Sequence, residues 1–281
     1  MKQVLISFDV GGTNIKASLI ATSGRVLVSS FEPTKNNLGK NKIIEEVICL
    51  ADDLLVGQVR LKGVALAWPS TVNLSLSGQE MKNILQKKFK VPVILENDAN
   101  VFTLAEAKLG QGKKYKVVVG LTLGTGVGCG LVIDKKIYHG AGQASEFGHV
   151  SLNFSGPKCA CGNYGCFEEF AGSRAIERLA KKYKFKNKTG QDLYELAIQG
   201  DKRATKLWQE FGKQLAWGII SVINALDPEI VVVGGQISKA WKFFYPAMQA
   251  EVDSKVMFKK TPIKVSKLEN AGTLGAALLF K

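Results

Sequence analysis

No stretch of this chain is apolar for long enough to cross a bilayer. A secretory leader is missing too: Met1-Lys2-Gln3 leads into an apolar run, but Asp9 and a glycine pair break it early. Cysteine is scarce, with 5 in 281 residues, and too clustered for a disulfide framework. Cys159, Cys161 and Cys166 fall within eight positions and read as metal ligands. Cys49 and Cys129 sit in apolar sequence and are expected to be reduced core residues. These absences point to the cytoplasm and to no membrane partner. No Gly-Lys-Ser or Gly-Lys-Thr follows either glycine-rich turn, which excludes a Walker A loop.

What is present is ordinary globular composition: 46% apolar, 9% aromatic and 22% charged residues, enough for one large domain or two modest ones. The formal charge is +14. Its densest runs, Lys87–Lys90 and Lys181–Lys186, close helix-like segments and read as solvated faces rather than a nucleic-acid surface. The 29 glycines predict tight turns or phosphate loops.

In order, Val4–Asp9, Lys16–Ile20 and Arg25–Phe31 read as strands joined by turns. Asn41–Leu55 has helical spacing, Gly63–Trp68 is a strand, Gly78–Phe89 a helix and Val91–Leu95 a strand. Asp98 is placed as N-cap of a helix over Ala99–Leu109. The pattern then restarts. Lys116–Leu123, the turn Gly124-Thr-Gly-Val-Gly128, Cys129–Ile133 and Ile137–Tyr138 repeat strand, glycine turn and further strands, a weak internal duplication. Helical spacing runs from Ser173 to Ala225. Ile230–Val233 is a strand ending in Gly234-Gly235, Lys239–Lys255 a helix, Ile263–Val265 a strand and Gly272–Phe280 a last helix. The main boundary is expected near Gly110–Lys114. An N-terminal α/β domain over 1–112 then precedes a larger one over 113–270, with a helix over 271–281 packing back on the first.

Four stretches carry chemistry. Asp9-Val-Gly-Gly-Thr13 offers backbone N–H groups and a hydroxyl to phosphate, and a carboxylate to Mg²⁺. Gly124-Thr125-Gly126 is its counterpart, so the two turns could clamp a triphosphate. In Glu96-Asn-Asp-Ala-Asn100, an acid at a strand end sits where ligands bind in α/β sheets and could take a hydroxyl proton. His149, Cys159, Cys161 and Cys166 form a complete tetrahedral zinc set with no open coordination position, flanked by Glu146 and Glu168.

These motifs, with Glu146-Phe-Gly-His149, Cys159-x-Cys-Gly-x-x-Gly-Cys-x-Glu168 and Val231-Val-Val-Gly-Gly235, occur in an order that resembles the ROK family (repressors, open reading frames and kinases) across the whole chain. The resemblance implies a two-domain actin/hexokinase-like α/β fold, a duplicated ribonuclease H-like ATPase core with a structural zinc site and a cleft between the domains. It implies ATP-dependent phosphorylation of a hexose 6-hydroxyl, with Asp98 as general base. Asn97, Glu146, His149 and Glu168 match sugar-binding positions, with Ser70 added. Gly11, Gly12, Thr13, Gly124, Thr125 and Gly126 match phosphate positions, with Asp9 and Lys16 beside them, and Gly234 and Gly235 match a turn beside the adenosine. ATP, Mg²⁺ and a structural Zn²⁺ are the implied cofactors, and a homodimer is the family expectation. Repressors in the family carry a helix-turn-helix ahead of the first motif. Asp9 stands nine residues from the start, so none is expected here. The chain departs from the family at Ala67-Trp68-Pro69-Ser70-Thr71, in the short segment Val72–Gly78 where only Asn73 could replace a sugar-binding Asn, and at Ser145 in place of Gly. The altered loop keeps open an N-acetylmannosamine, other amino-sugar or fructose kinase. A sugar-sensing regulator without turnover is the alternative of another class.

Overall fold

The computed structural model describes residues 2–35, 38–69, 75–257 and 261–280; Ser70 and Asn73 lie outside the described residues. The chain forms two compact units, Met1–Gly110 with Leu268–Lys281, and Gln111–Lys267.

The first unit opens with three antiparallel strands, β1 (Lys2–Val10), β2 (Asn14–Ala21) and β3 (Val26–Pro33). Helix α1 (Lys40–Leu54) leads to β4 (Val59–Trp68), and α2 (Gly78–Phe89) leads to β5 (Val93–Asn97) and α3 (Asp98–Leu109). The sheet order is β3-β2-β1-β4-β5, with β1, β4 and β5 parallel. A continuous apolar run from Val4 to Phe8, broken only by Ser7, suits a central strand covered on both faces, and it is buried. On α1 the apolar positions Ile43, Val47, Leu50 and Leu54 recur at helical spacing and are buried. Cys49 falls on the opposite face and is exposed, which corrects its placement in the core. Asp98 does not cap α3. Asn97, with extended backbone, accepts the Asn100 N–H at 3.0 Å, and Asp98 is the first helical residue.

The second unit repeats the plan. β6 (Val117–Leu123), β7 (Val127–Ile133) and β8 (Lys136–Ile137) are antiparallel. The region expected as one helical run divides into α4 (Phe167–Ala171), α5 (Ser173–Lys182), α6 (Gly190–Ile198) and α7 (Lys202–Leu226). The breaks have local causes: Lys184, Asn187 and Gly200 adopt positive φ, while Thr189 and Asp201 cap new helices. β9 (Ile230–Gly234), α8 (Trp241–Lys255) and β10 (Ile263–Val265) finish the unit. Its sheet order is β10-β9-β6-β7-β8, with β6, β9 and β10 parallel. Read from the other end, this is the first sheet's order: a hairpin edge, a central strand, then two parallel strands. The core centres on Trp208, Phe211 and Phe244, packed edge to face, with 5.5 Å between the Trp208 and Phe211 rings.

The final helix, α9 (Ala271–Ala277), packs on α3 and β1 of the first unit. Gly275 lies so close to the Val101 carbonyl that a β-carbon would collide with it. Among the described residues, no helix is long and apolar enough to cross a membrane.

The α3–α9 contact generates the first prediction. A methyl at Gly275 gains up to about 1 kcal/mol of helix propensity but forces backbone apart in a packed interior, at about 1–3 kcal/mol. Gly275→Ala is expected to lower the denaturation midpoint measured in urea. An unchanged midpoint would refute the close crossing.

Candidate functional site

In the first unit, β1, β4 and β5 bring two candidate groups to one edge. The register aligns Asp9 with Ala67 and Ala67 with Glu96, so the Asp9 turn and Asp98 lie two strands apart at the carboxyl ends of parallel strands. Two strand spacings are about 10 Å. The turn after β1 closes through the Gly11 N–H donating to Asn14 O at 2.9 Å. Thr34 braces it, with its hydroxyl on Gly11 O at 2.7 Å and its N–H on Thr13 O at 2.8 Å. Gly12 and Thr13 are left exposed. Asp9 pairs across the hairpin with Lys16. Burial pushes the Asp9 carboxyl above its ordinary 3.8, and the Lys16 charge pulls it partly back. A carboxylate in that state gains from a cation, which fits Mg²⁺ carried by a nucleotide. On its other side Asp9 is pressed by Gly272 at the start of α9, where any β-carbon would meet the carboxylate.

Asp98 is half-buried and accepts the Ala99 N–H at 2.8 Å through Oδ1. Behind it, Glu96 Oε1 accepts the Asn97 N–H at 2.8 Å and the Asn100 amide at 3.0 Å. The Glu96-Asn-Asp-Ala-Asn stretch is thus bonded to itself. That fixes the backbone from which Asp98 projects.

In the second unit, the corresponding turn closes with the Gly124 N–H donating to Gly126 O at 3.0 Å. Thr122 is in register with Gly234, so Gly234-Gly235 lies directly beside this turn. Gly235 has φ +87° and packs on the Leu123 backbone, a position only glycine fills without strain.

The metal-ligand set assembles below. The ligand atoms of His149, Cys159, Cys161 and Cys166 all lie within 4.8 Å of one another. Cys159 Sγ is 3.7 Å from His149 Nδ1, and Cys161 Sγ is 3.6 Å from Cys166 Sγ. Tetrahedral zinc with metal–sulfur bonds of about 2.3 Å has edges of about 3.8 Å. The donors therefore fit a closed zinc site, with Nδ1 turned to the metal position and Nε2 away from it. Burial raises the Cys159 and Cys166 thiols, while the Asn163 N–H lowers Cys161. The loop is held by bridges pairing Ser151 with Cys166 and Lys158 with Tyr164, and Gly165, at φ +64°, abuts Asn153 O.

The sugar-binding candidates of this unit surround the knot. Glu146 is exposed and opens a 3₁₀ turn over Phe147–His149. Ser145 before it holds φ +72°, the left-handed conformation that suits the glycine it replaces. Glu168 is buried, 3.0 Å from Cys159 Sγ and 3.9 Å from His149 Nδ1, and its other oxygen lies against Gly126. Sequence reasoning did not single out Thr34, Gly272, Gly172 or Ser173. Only Gly272 left a signal, a glycine opening a helix.

Two sheets of matching order, with glycine turns after their central strands, define the duplicated actin/hexokinase-like class. Residues 5–281 match the ROK family, and the chain belongs to it. It is 30% identical to the glucokinase of Thermotoga maritima, over 100% of this chain and 98% of that one. It is also 30% identical to the N-acetyl-D-glucosamine kinase of Haemophilus influenzae, over 97% of each, and 27% identical to the xylose repressor of Bacillus subtilis, over 89% of this chain and 69% of the repressor. Among solved structures, a ROK family glucokinase from Streptomyces griseus in complex with glucose and AMPPNP superimposes with TM-score 0.88 at 25% identity, covering 98% of each chain.

Two outcomes follow from this geometry. The protein is expected to carry zinc, and Cys161→Ser to lose both the metal and thermal stability, read by elemental analysis and melting. Wild-type melting in the zinc-depleted variant would refute a structural metal. For Asp9, the folded carboxyl titrates above its unfolded value. The charged form therefore weakens folding, increasingly as pH rises through the folded pKa. Asp9→Asn is expected to raise the melting temperature of the ligand-free protein at neutral pH, and a lower one would refute the burial cost.

Proposed function

We propose that this chain is an ATP-dependent sugar kinase that phosphorylates the 6-hydroxyl of a hexose such as glucose. One observation carries the reading: Asp98 projects from a hydrogen-bonded strand end, on the same sheet edge as the Asp9 glycine turn. The likeness to glucokinases along the full chain supports it.

In this reading Asp98 takes the proton as the sugar hydroxyl attacks the γ-phosphorus, and the bond to the β–γ bridging oxygen breaks. Thr13 and the N–H groups of the two turns hold the phosphate oxygens, with Lys16 beside Asp9, and Gly234-Gly235 borders the adenosine. Mg²⁺ bound with ATP neutralises charge on the phosphates, and Asp9 is the carboxylate that would face it. Asn97, Glu146, His149 and Glu168 orient the sugar hydroxyls. His149, Cys159, Cys161 and Cys166 would hold zinc with all four ligands from protein, and they would act by fixing the His149 ring and the Glu168 backbone rather than by binding substrate through the metal. Positioning and water exclusion supply most of the rate. A homodimer acting in the cytoplasm belongs to the same reading.

The likeness to an N-acetyl-D-glucosamine kinase favours an amino sugar as second substrate class. A sugar-responsive regulator is the reading favoured by the xylose repressor likeness. ATP consumption across a panel of glucose, mannose, fructose and N-acetylated hexosamines separates the three. Asp98→Asn is expected to cut kcat by about 10²–10⁴-fold, the usual share of a general base, while glucose binding measured by calorimetry stays within about twofold. Full turnover in that variant would sink the assignment.

A further inference from the structure

The metal knot and the second glycine turn are joined by one short segment. Cys166 is a metal-ligand candidate, and helix α4 begins at the next residue. Glu168, in its first turn, places one carboxylate oxygen 3.0 Å from Cys159 Sγ and the other against Gly126, so closely that a β-carbon on Gly126 would collide. At the end of α4, Gly172 donates its N–H to Glu168 O at 2.8 Å, and a β-carbon there would lie 2.8 Å from Thr125 O and 3.3 Å from Gly126 Cα. Ser173 then donates its N–H to Gly124 O at 3.0 Å and its hydroxyl to Thr125 O at 3.1 Å. Each residue of the Gly124-Thr125-Gly126 turn is thus touched by a segment that starts at a metal ligand. Carbonyls engaged in this way hold the turn's peptide planes, and so aim its N–H groups.

We propose that Gly172 and Ser173 are positioning residues for the 124–126 turn, and that metal binding sets the turn's affinity for phosphate through Glu168 and α4. The knot is then a nucleotide-affinity element as well as a wall beside the sugar. The inference rests on the kinase reading for the identity of the ligand, but not for the brace itself.

Ser173 is the first residue of α5, and Gly172 before it has extended backbone, a setting that accepts proline. Ser173→Pro therefore keeps the helical backbone but removes the N–H bonds to Gly124 O and Thr125 O together with the hydroxyl bond and sets its ring against the Gly124 carbonyl, whereas Ser173→Ala removes the hydroxyl bond alone. The experiment uses the full zinc-loaded chain, AMPPNP and glucose as calorimetric probes, and hydrogen exchange of the peptide spanning residues 121–127. Ser173→Ala is expected to weaken AMPPNP by about threefold or more, the scale of one hydrogen bond, and Ser173→Pro by more. Glucose affinity and zinc content stay at wild-type values, and the 121–127 peptide exchanges faster. Chelated protein that remains folded is expected to show the same faster exchange and weaker AMPPNP binding. Wild-type exchange in Ser173→Pro, or a folded zinc-free protein with wild-type exchange, overturns the proposal. Should the unmodified zinc-loaded chain bind no AMPPNP, the nucleotide reading of the turn fails, and exchange still decides whether the brace exists.

Discussion

The architecture depends on one constraint, met twice. A central strand must end, reverse and pair with itself while leaving backbone donors facing outward. After β1 and after β6 this is done with glycine, and one N–H is used to close each turn: Gly11 onto Asn14 O and Gly124 onto Gly126 O. Parallel strands on one flank of each hairpin then bring other residues to the same edge: Glu96 to Asp98 in the first sheet, and Gly234-Gly235 in the second. Ligand chemistry collects there because strand ends and helix starts leave backbone groups unpaired.

Such turns are poor at holding themselves, and both are braced from outside their own hairpin. Thr34 anchors the first with two hydrogen bonds, and Ser173 anchors the second. Two of the candidate residues also sit against local preference. Asp9 is buried against its charge, and Ser145 sits at positive φ beside Glu146.

The parts of this arrangement that could be read from the chain alone were those written in residue type. Glycine pairs after apolar runs marked both turns, and three thiols with a histidine marked a tetrahedral set that the distances fit. Strand and helix order was legible because apolar periodicity follows burial, as in α1. What escaped depended on local backbone geometry or on partners far along the chain. Asn97 rather than Asp98 caps α3, since either side chain suits the role and only backbone geometry decides. Cys49 is exposed because its angle on the helix, not its apolar neighbours, sets its environment. Ser173 and Gly272 look unremarkable until the fold brings them to Thr125 and Asp9.

The placement of the metal ligands has a simple physical reason. From Ser151 to Tyr164 most residues are exposed, including Phe154 and Tyr164; Leu152, Gly156 and Pro157 are half-buried, and Cys159 alone of this stretch is buried. A loop with so little apolar burial cannot offset the entropy of its own ordering. Two residue bridges and two positive-φ glycines shape it, but none of these is a core. A metal held by these four side chains would supply what the missing core does not, and would do so at one point. Cys166, one of the four, stands one residue before α4, whose Glu168 lies against Gly126. A hydrophobic core would have spread its stabilisation over many contacts. A metal concentrates it at the end of the helix that carries Glu168 and leads to Ser173.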